Sequence, residues 1–230
     1  MPATAGPRPR KPRSDGQEAR ARILDSAEAL FAERGFHGTS VRDITEHAGV
    51  RLAAVNYHFV DKETLFRDVL QRRAAVLEQA RLQQLAALPV RGSAGARTRA
   101  LVRAFVMPLV PHATDSQGFR NYLALIAQVG SSRLQALSLV EHTYNPLAQR
   151  FIAALSSIFP AASSQALHHG YTFLLASTMY SFSNNLRLDS MTGGRLRSDD
   201  FDAISRSLVT FTAAGLTALC SAPATRSART

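Results

Sequence analysis

Residues 39–59 read TSVRDITEHAGVRLAAVNYHF and contain two short helical patterns separated by a glycine. Ser40 begins the first pattern and Asp43 follows three residues later, which is the spacing of a helix capping box. Gly49 ends this pattern, because glycine readily adopts the left-handed conformation that terminates a helix. Two short helices joined by a tight turn predict a helix-turn-helix, whose second helix enters the major groove of DNA.

Longer helices are predicted on both sides of this stretch. One begins near Asp15, where Asp15 and Glu18 have capping-box spacing, and it ends at Gly35. Asp61 caps another helix, which reaches about Leu88. The pattern then stays helical, without β-alternation, over residues 96–110, 116–129, 134–142, 146–159, 161–188 and 199–221. The sequence therefore predicts an all-α protein.

These helices suggest a division of the chain into five segments. The first, rich in Pro, Ala and Arg, has the composition of a solvated tail, and a contact between this arm and DNA phosphates stays an open alternative. The predicted segments are a basic arm (1–15), a three-helix helix-turn-helix domain (16–60), a connecting helix (61–88), a larger helical bundle for ligand binding and dimerisation (89–221) and a tail (222–230).

Composition limits the possible function classes. The chain has 230 residues, 46% of them hydrophobic, which is enough to bury a sizeable core. Its net charge of +10 favours a polyanionic partner, although residues 1–80 carry only 13 basic against 11 acidic residues. Cys220 is the only cysteine, so no intramolecular disulfide can form. We expect a cytoplasmic protein without a membrane span, because Ser, His and Asn interrupt the uncharged stretch 161–186.

The residue types of the second short helix suit contacts with DNA. Ala53 is small enough for the backbone to approach base edges, and Asn56 can hydrogen-bond a base or a phosphate. Tyr57 and His58 can donate to phosphate oxygens, and Lys62 stands at the start of the next helix. The same residues also fit an ordinary core helix, and the pattern alone leaves both interpretations open.

Five motifs occur in order between residues 23 and 65: ALFAERGF at 29–36, TSVRDI at 39–44, AGV at 48–50, NYHF at 56–59 and KETL at 62–65. Together they resemble the DNA-binding domain of the tetracycline-repressor (TetR/AcrR) family. The resemblance implies an N-terminal three-helix DNA-binding domain, a larger helical ligand domain, and a homodimer that binds a palindromic operator.

The resemblance also implies which residues face DNA. Arg51 stands where many members have Ser or Thr, so a capping hydroxyl is replaced by a guanidinium that can read guanine. Lys62 matches the family's phosphate-binding lysine. The predicted DNA-binding residues are Thr39, Ser40, Arg42, Arg51, Ala53, Asn56, Tyr57, His58 and Lys62.

The remaining sequence carries no recognisable catalytic motif, and we predict no cofactor and no enzymatic activity. His168 and His169 point about 100° apart on a helix, so they make a poor metal-binding pair, and we predict no metal site. Aromatic and aliphatic residues can instead line an apolar cavity, although such stripes are more often simple core. The predicted pocket residues are Phe105, Met107, Phe119, Tyr122, Ile126, Phe151, Phe173 and Tyr180.

The last two long helices are rich in small residues, which allow the close approach needed for a helical dimer interface. Packing inside one subunit is the alternative. The predicted interface residues are Leu174, Leu175, Met179, Leu208, Phe211, Leu216 and Leu219.

We therefore expect a DNA-binding transcriptional regulator, a repressor released by a small apolar or amphipathic effector. The run Arg81, Arg91, Arg97, Arg99 and Arg103 favours an anionic effector such as a fatty acid or acyl-CoA. Two alternatives are an activator of the same fold and a helical small-molecule-binding protein without specific DNA binding. A helical enzyme is disfavoured, because no nucleophile and base can be paired from their spacing.

Overall fold

The computed structural model describes residues 12–130 and 143–222, and all regular secondary structure within them is helical. The all-α prediction is confirmed. The predicted helix at 134–142, most of the predicted arm and most of the predicted tail lie outside these residues. The helices are α1 (Pro12–Arg34), α2 (Val41–Ala48), α3 (Leu52–His58), α4 (Lys62–Ala86), α5 (Ala94–Val106), α6 (Leu109–Asp115), α7 (Gln117–Gly130), α8 (Asn145–Ile158), α9 (Ser164–Phe182), α10 (Arg187–Thr192) and α11 (Phe201–Ser221).

The chain divides into two compact units, Met1–Val69 and Leu70–Thr230. In the first unit, α1, α2, α3 and the beginning of α4 surround an apolar core. Phe31 lies at its centre, with its ring centroid 5.1 Å from that of Phe66 and 5.9 Å from that of Phe36. Ile44 of α2 and Val55 of α3 are also buried. Each short helix thus contributes an apolar side chain to one shared core and leaves its other face exposed.

Local capping fixes the two short helices. The Ser40 hydroxyl accepts a hydrogen bond from the Asp43 backbone N–H (3.1 Å), while a carboxylate oxygen of Asp43 accepts one from the Ser40 backbone N–H (2.8 Å). Gly49 ends α2 with a φ of 62°, the left-handed conformation expected of a terminal glycine. The prediction that α1 begins near Asp15 is wrong, because the helix already begins at Pro12, a residue suited to a first helical turn.

In the second unit, α11 packs against α5 and α9, and α8 packs against α5 and α9. Leu174 and Leu216 are buried at 2% and 3% exposure. Gly170 allows the close approach of α9 and α11, because a Cβ atom there would lie 2.7 Å from Cδ2 of Leu216. By length and composition α11 could cross a membrane, but its buried face forms part of this core, and Cys220 near its end is buried as well.

Two predicted helices are interrupted in the structure. The helix predicted over 96–110 divides at Met107–Pro108 into α5 and α6. The helix predicted over 161–188 ends at Phe182, and the chain then turns through Asn184 and Leu186, which have positive φ values of 48° and 57°. Asparagine tolerates this conformation better than most residues, so the composition of residues 183–186 accounts for the break.

Candidate nucleic-acid interface and ligand domain

The free face of α3 presents three of the predicted DNA-binding residues. Ala53 and Asn56 are exposed, and Tyr57 is 83% exposed. On the opposite face Val55 is 3% exposed, and Phe59 beyond the helix end is buried to the same degree. A large aromatic residue left in solvent beside an amide forms a surface that can enter a groove.

The beginning of α2 presents Ser40 and Arg42. The Ser40 hydroxyl is occupied in the capping box, and hydrogen bonds from Ser40 hold the pKa of Asp43 below its usual value. Nε of Arg42 lies 2.9 Å from a carboxylate oxygen of Glu46, and both side chains are mostly exposed. An exposed ion pair of this kind contributes little stability, so a DNA phosphate can replace Glu46 as the partner of Arg42.

Thr39 is a correction to the predicted set. Its side chain is 1% exposed, and its single hydroxyl proton is shared between the main-chain oxygens of Leu30 (3.1 Å) and Gly35 (3.0 Å). The hydroxyl therefore fixes the turn between α1 and α2, and its burial removes it from contact with DNA.

The remaining predicted residues lie at helix ends. Arg51 is exposed at the N-cap position of α3 and makes no capping hydrogen bond with its side chain. The His58 ring is partly buried and packs edge-on against Tyr57, with 5.0 Å between the ring centroids. The Lys62 ammonium lies 4.2 Å from the Phe36 ring centroid. Just before it, Asp61 accepts a hydrogen bond from the Thr64 backbone N–H (2.6 Å), and hydrogen bonds from Thr64 lower the pKa of Asp61.

The predicted pocket is in part a buried aromatic cluster. Phe105, Phe119, Tyr122 and Phe151 are each at most 5% exposed, and Met107 and Ile126 are partly buried. The Phe105 ring meets that of Phe151 edge-on, with centroids 5.1 Å apart. Phe119 and Tyr122 form a second pair at 6.2 Å.

Two predicted pocket residues do not belong to this cluster. Phe173 and Tyr180 are 57% and 58% exposed, so placing them in a buried pocket is wrong. Tyr180 instead lines a surface groove of about 260 Å³ together with Leu188, Met191 and Ile204.

Three residues that sequence analysis did not place in the pocket contact members of this cluster. Arg81 Nε donates a hydrogen bond to the Phe105 carbonyl oxygen (2.9 Å), and the Tyr171 ring centroid lies 6.0 Å from that of Phe105. The hydroxyls of Tyr144 and Tyr122 are 3.4 Å apart. No local spacing marks these residues, because every one of these contacts joins different helices or a helix and a loop.

The predicted dimer interface also needs correction. Leu174, Leu208 and Leu216 are buried within their own unit, so they cannot face a partner. Leu175, Met179 and Leu219 are partly buried. Phe211 is 74% exposed, and its neighbours along the free face of α11 include the exposed Ala214 and Ala218.

Across residues 12–130 and 143–222, no group of three or more His, Cys, Asp and Glu side chains is arranged to hold a metal ion.

Comparison with known proteins places these features in context. Residues 23–69 match the family model for bacterial regulatory proteins of the tetR family. Residues 103–215 match the model of the tetracyclin repressor-like C-terminal domain. One model therefore covers the helix-turn-helix, and the other covers most of the second unit.

Individual relatives resemble shorter stretches. The chain is 35% identical over 80 residues to the transcriptional regulator AcrR of Shigella flexneri, which is 35% of this chain and 37% of that protein. It is 34% identical over 116 residues, half of each chain, to the transcriptional activator FasR of Mycolicibacterium smegmatis. The matches thus span about a third to a half of these relatives.

The fold also matches the solved structure of the regulator FadR from Bacillus subtilis in complex with stearoyl-CoA. The TM-score is 0.53 at 16% identity, over 85% of this chain and 98% of that one.

Proposed function

Because the chain belongs to the tetR family of bacterial transcriptional regulators, we propose that it binds operator DNA through α2 and α3 and releases it when a small-molecule effector binds. The observation that carries this proposal is the free face of α3, where Ala53, Asn56 and Tyr57 stand in solvent. In this proposal the second unit supplies the effector site and the dimer contact. The protein acts in the cytoplasm.

In this proposal α3 is the recognition helix. Asn56 hydrogen-bonds a base edge, since an amide side chain suits adenine in the major groove. Tyr57, Arg42 and Lys62 bind phosphates and fix the position of α3, while Arg51 at the N-terminus of α3 reaches a second base. Ser40 contributes by holding the beginning of α2 in place.

A second copy of the chain covers the free faces of α9 and α11. Phe173 and Tyr180 on α9, and Phe211, Ala214 and Ala218 on α11, leave an apolar surface in solvent. Such a surface marks an interaction site, and two-fold pairing of one face with itself is the commonest arrangement of a homodimer. This α9–α11 face replaces the buried leucines as the predicted interface.

The dimer reads a palindromic operator when its two α3 helices fit successive major grooves, about 34–36 Å apart. An effector that binds more tightly to a dimer with a different spacing lowers DNA affinity, because it shifts the equilibrium towards that state. We therefore propose that the dimer represses transcription while it is bound to the operator and that the effector releases it from the DNA. Activation is the second candidate, since the relative FasR is named as an activator.

The direct test is fluorescence anisotropy of the purified protein with its own upstream intergenic DNA and with random DNA of equal length, each at two salt concentrations. We expect binding to the upstream DNA that survives the higher salt, because base contacts add to phosphate contacts. Equal and strongly salt-sensitive binding to both DNAs would contradict recognition of this DNA. A Phe211→Asp variant, compared with wild type by sedimentation, tests the α9–α11 face, and an unchanged dimer would contradict that face.

A further inference from the structure

Arg81 is partly buried against the aromatic cluster of the second unit, whereas Arg91, Arg99 and Arg103 of the same basic run are exposed. Its Cζ atom is 3.8 Å from the centroid of the Phe105 ring, and its Nε donates to the Phe105 carbonyl oxygen. These two contacts fix the plane of the guanidinium. A guanidinium stacked on a ring still has N–H donors along its edge, in the fork geometry that matches a carboxylate or a phosphate.

Three tyrosines lie near enough to this guanidinium to affect its charge, and each can act as a neutral donor. Burial raises the pKa of Tyr122, Tyr144 and Tyr171, so all three phenols stay protonated at physiological pH. In the pair formed by Tyr122 and Tyr144, only one hydroxyl can donate to the other, so the second phenol proton can be donated to a third group. A cation and neutral hydroxyls in one cluster offer donors to a negatively charged acceptor.

The part of the chain that the structure describes supplies no such acceptor. Between residues 12 and 130 and between 143 and 222, no Asp or Glu side chain forms an ion pair with Arg81. Burial lowers the pKa of Arg81, because the charged guanidinium is less well solvated there than in water. A partly buried cation is unfavourable where the described residues around it hold no carboxylate, and an anion bound beside it would relieve that cost.

We infer that Arg81, with Tyr122, Tyr144 and Tyr171, binds the anionic head of the effector, and that this head is a carboxylate or a phosphate on an apolar chain. The inference rests on the proposed function, since it names the chemistry of the ligand whose binding releases DNA. The apolar chain would lie along Phe105, whose ring stacks on the guanidinium, and Phe151, whose ring meets that of Phe105 edge-on. The ligand class is therefore an amphipathic anion.

The experiment is calorimetric titration of the full chain, without DNA, with three ten-carbon probes: decanoate, decyl phosphate and 1-decanol. We expect at least one anion to bind about tenfold or more tightly than decanol, because charge-assisted hydrogen bonds exceed neutral ones by that amount. The stronger of the two anions identifies the head group. A wild-type protein that prefers neither anion to decanol would overturn the inference.

Two arginine variants test the assignment to Arg81. Arg81→Gln should remove the preference for the anion and leave decanol affinity within about twofold of wild type. Arg103→Gln is the matched control, because it removes one positive charge from an exposed position of the same domain and should keep the preference. An Arg81→Gln protein that folds and keeps the preference would contradict the assignment.

Arg81 also holds the Phe105 carbonyl, so a second variant is needed in case Arg81→Gln does not fold. Tyr171→Phe keeps the ring beside Phe105 and removes only the hydroxyl. It should weaken binding of the preferred anion several-fold and leave the affinity for decanol unchanged. Equal affinity for the anion in wild type and variant would count against the site.

The test separates the ligand site from the regulator proposal. An anion preference that depends on Arg81, in a protein that shows no specific DNA binding, would support the site and contradict the regulator. Specific DNA binding without any anion preference would support the regulator and contradict the ligand site.

Discussion

The ammonium nitrogen of Lys62 lies 4.2 Å from the centroid of the Phe36 ring, at the beginning of α4. This cation–π contact joins the α1–α2 connection to the helix that follows α3, and it limits the positions that the lysine side chain can reach. Lys62 is also the first residue of α4, and the N-terminus of a helix carries partial positive charge, so the lysine and the helix end both favour a phosphate near this point.

Replacing Lys62 with alanine should weaken operator binding and reduce the salt dependence of the affinity. One lost phosphate contact lowers the slope of log affinity against log salt by about one unit. Arg103→Ala is the control, since it removes the same charge from the other unit. Anisotropy titrations at four salt concentrations measure the slope, and an unchanged slope in Lys62→Ala would exclude the phosphate contact.

Asn56→Ala should lower affinity for the operator about tenfold and leave affinity for random DNA nearly unchanged, because a base contact contributes about 1–3 kcal/mol of discrimination. Tyr57→Phe is the informative comparison, since loss of a phosphate contact weakens binding to both DNAs alike. Competition titrations with both DNAs give the ratio of the affinity for operator DNA to the affinity for random DNA. If Asn56→Ala lowered the affinity for operator and random DNA equally, Asn56 would contact the DNA backbone and not a base.

Thr39→Val should destabilise the DNA-binding domain by about 1–3 kcal/mol, because it removes a buried hydroxyl that satisfies two main-chain oxygens. Thr172→Val is the matched control, since its hydroxyl bonds to His168 on an exposed helix face, where a loss of about 0.5 kcal/mol or less is expected. Hydrogen exchange of the amides in α1 and α2 measures the local stability for Thr39→Val, and exchange in α9 measures it for the control. Equal exchange in wild type and Thr39→Val would refute the structural role.

Two glycines of the second unit should respond to alanine in opposite directions. Gly170→Ala brings a methyl group to 2.7 Å from Leu216 and should destabilise by about 1–3 kcal/mol. Gly215→Ala meets open space on the exposed face of α11 and should stabilise an isolated subunit by about 0.5–1 kcal/mol. Thermal unfolding at several protein concentrations measures the change in stability of both variants. The prediction fails if the two variants shift the melting temperature in the same direction.

Stability of α2 should fall in acid because of Asp43. Its pKa is lowered in the folded protein, mainly by the hydrogen bond from the Ser40 hydroxyl, so its contribution is fully present above the ordinary aspartate pKa. That contribution is lost as pH falls through the folded-state value. The difference in melting temperature between wild type and Asp43→Ala should therefore shrink from pH 6 towards pH 3. A constant difference would show that the ionised carboxylate is not the stabilising group.

The capping residues of α2 could be predicted because they act over short distances. Ser40 and Asp43 are three residues apart, and Gly49 needs only its own conformational freedom, so the local sequence contains the whole interaction. The exposed face of α3 follows in the same way, since burial of Val55 leaves Asn56 and Tyr57 on the other side.

The packing of the second unit was less predictable, because its helices are apolar on more than one side. In α9 the adjacent Phe173 and Leu174 are both apolar, and only tertiary packing decides that Leu174 is buried while Phe173 is exposed. The hydrogen bond between Arg81 and Phe105 joins residues 24 positions apart. Such a contact depends on how two helices pack, and no periodicity within either helix specifies it.

The buried sulfur near the end of α11 has a practical consequence. Because Cys220 is the only cysteine of the chain and is 4% exposed, a thiol reagent added to the native protein can modify one atom, and only when that end of the helix opens. The labelling rate, divided by that of an unfolded peptide, gives the population of the opened form. The natural chain therefore carries its own kinetic reporter of loosening in the ligand domain, without an engineered label.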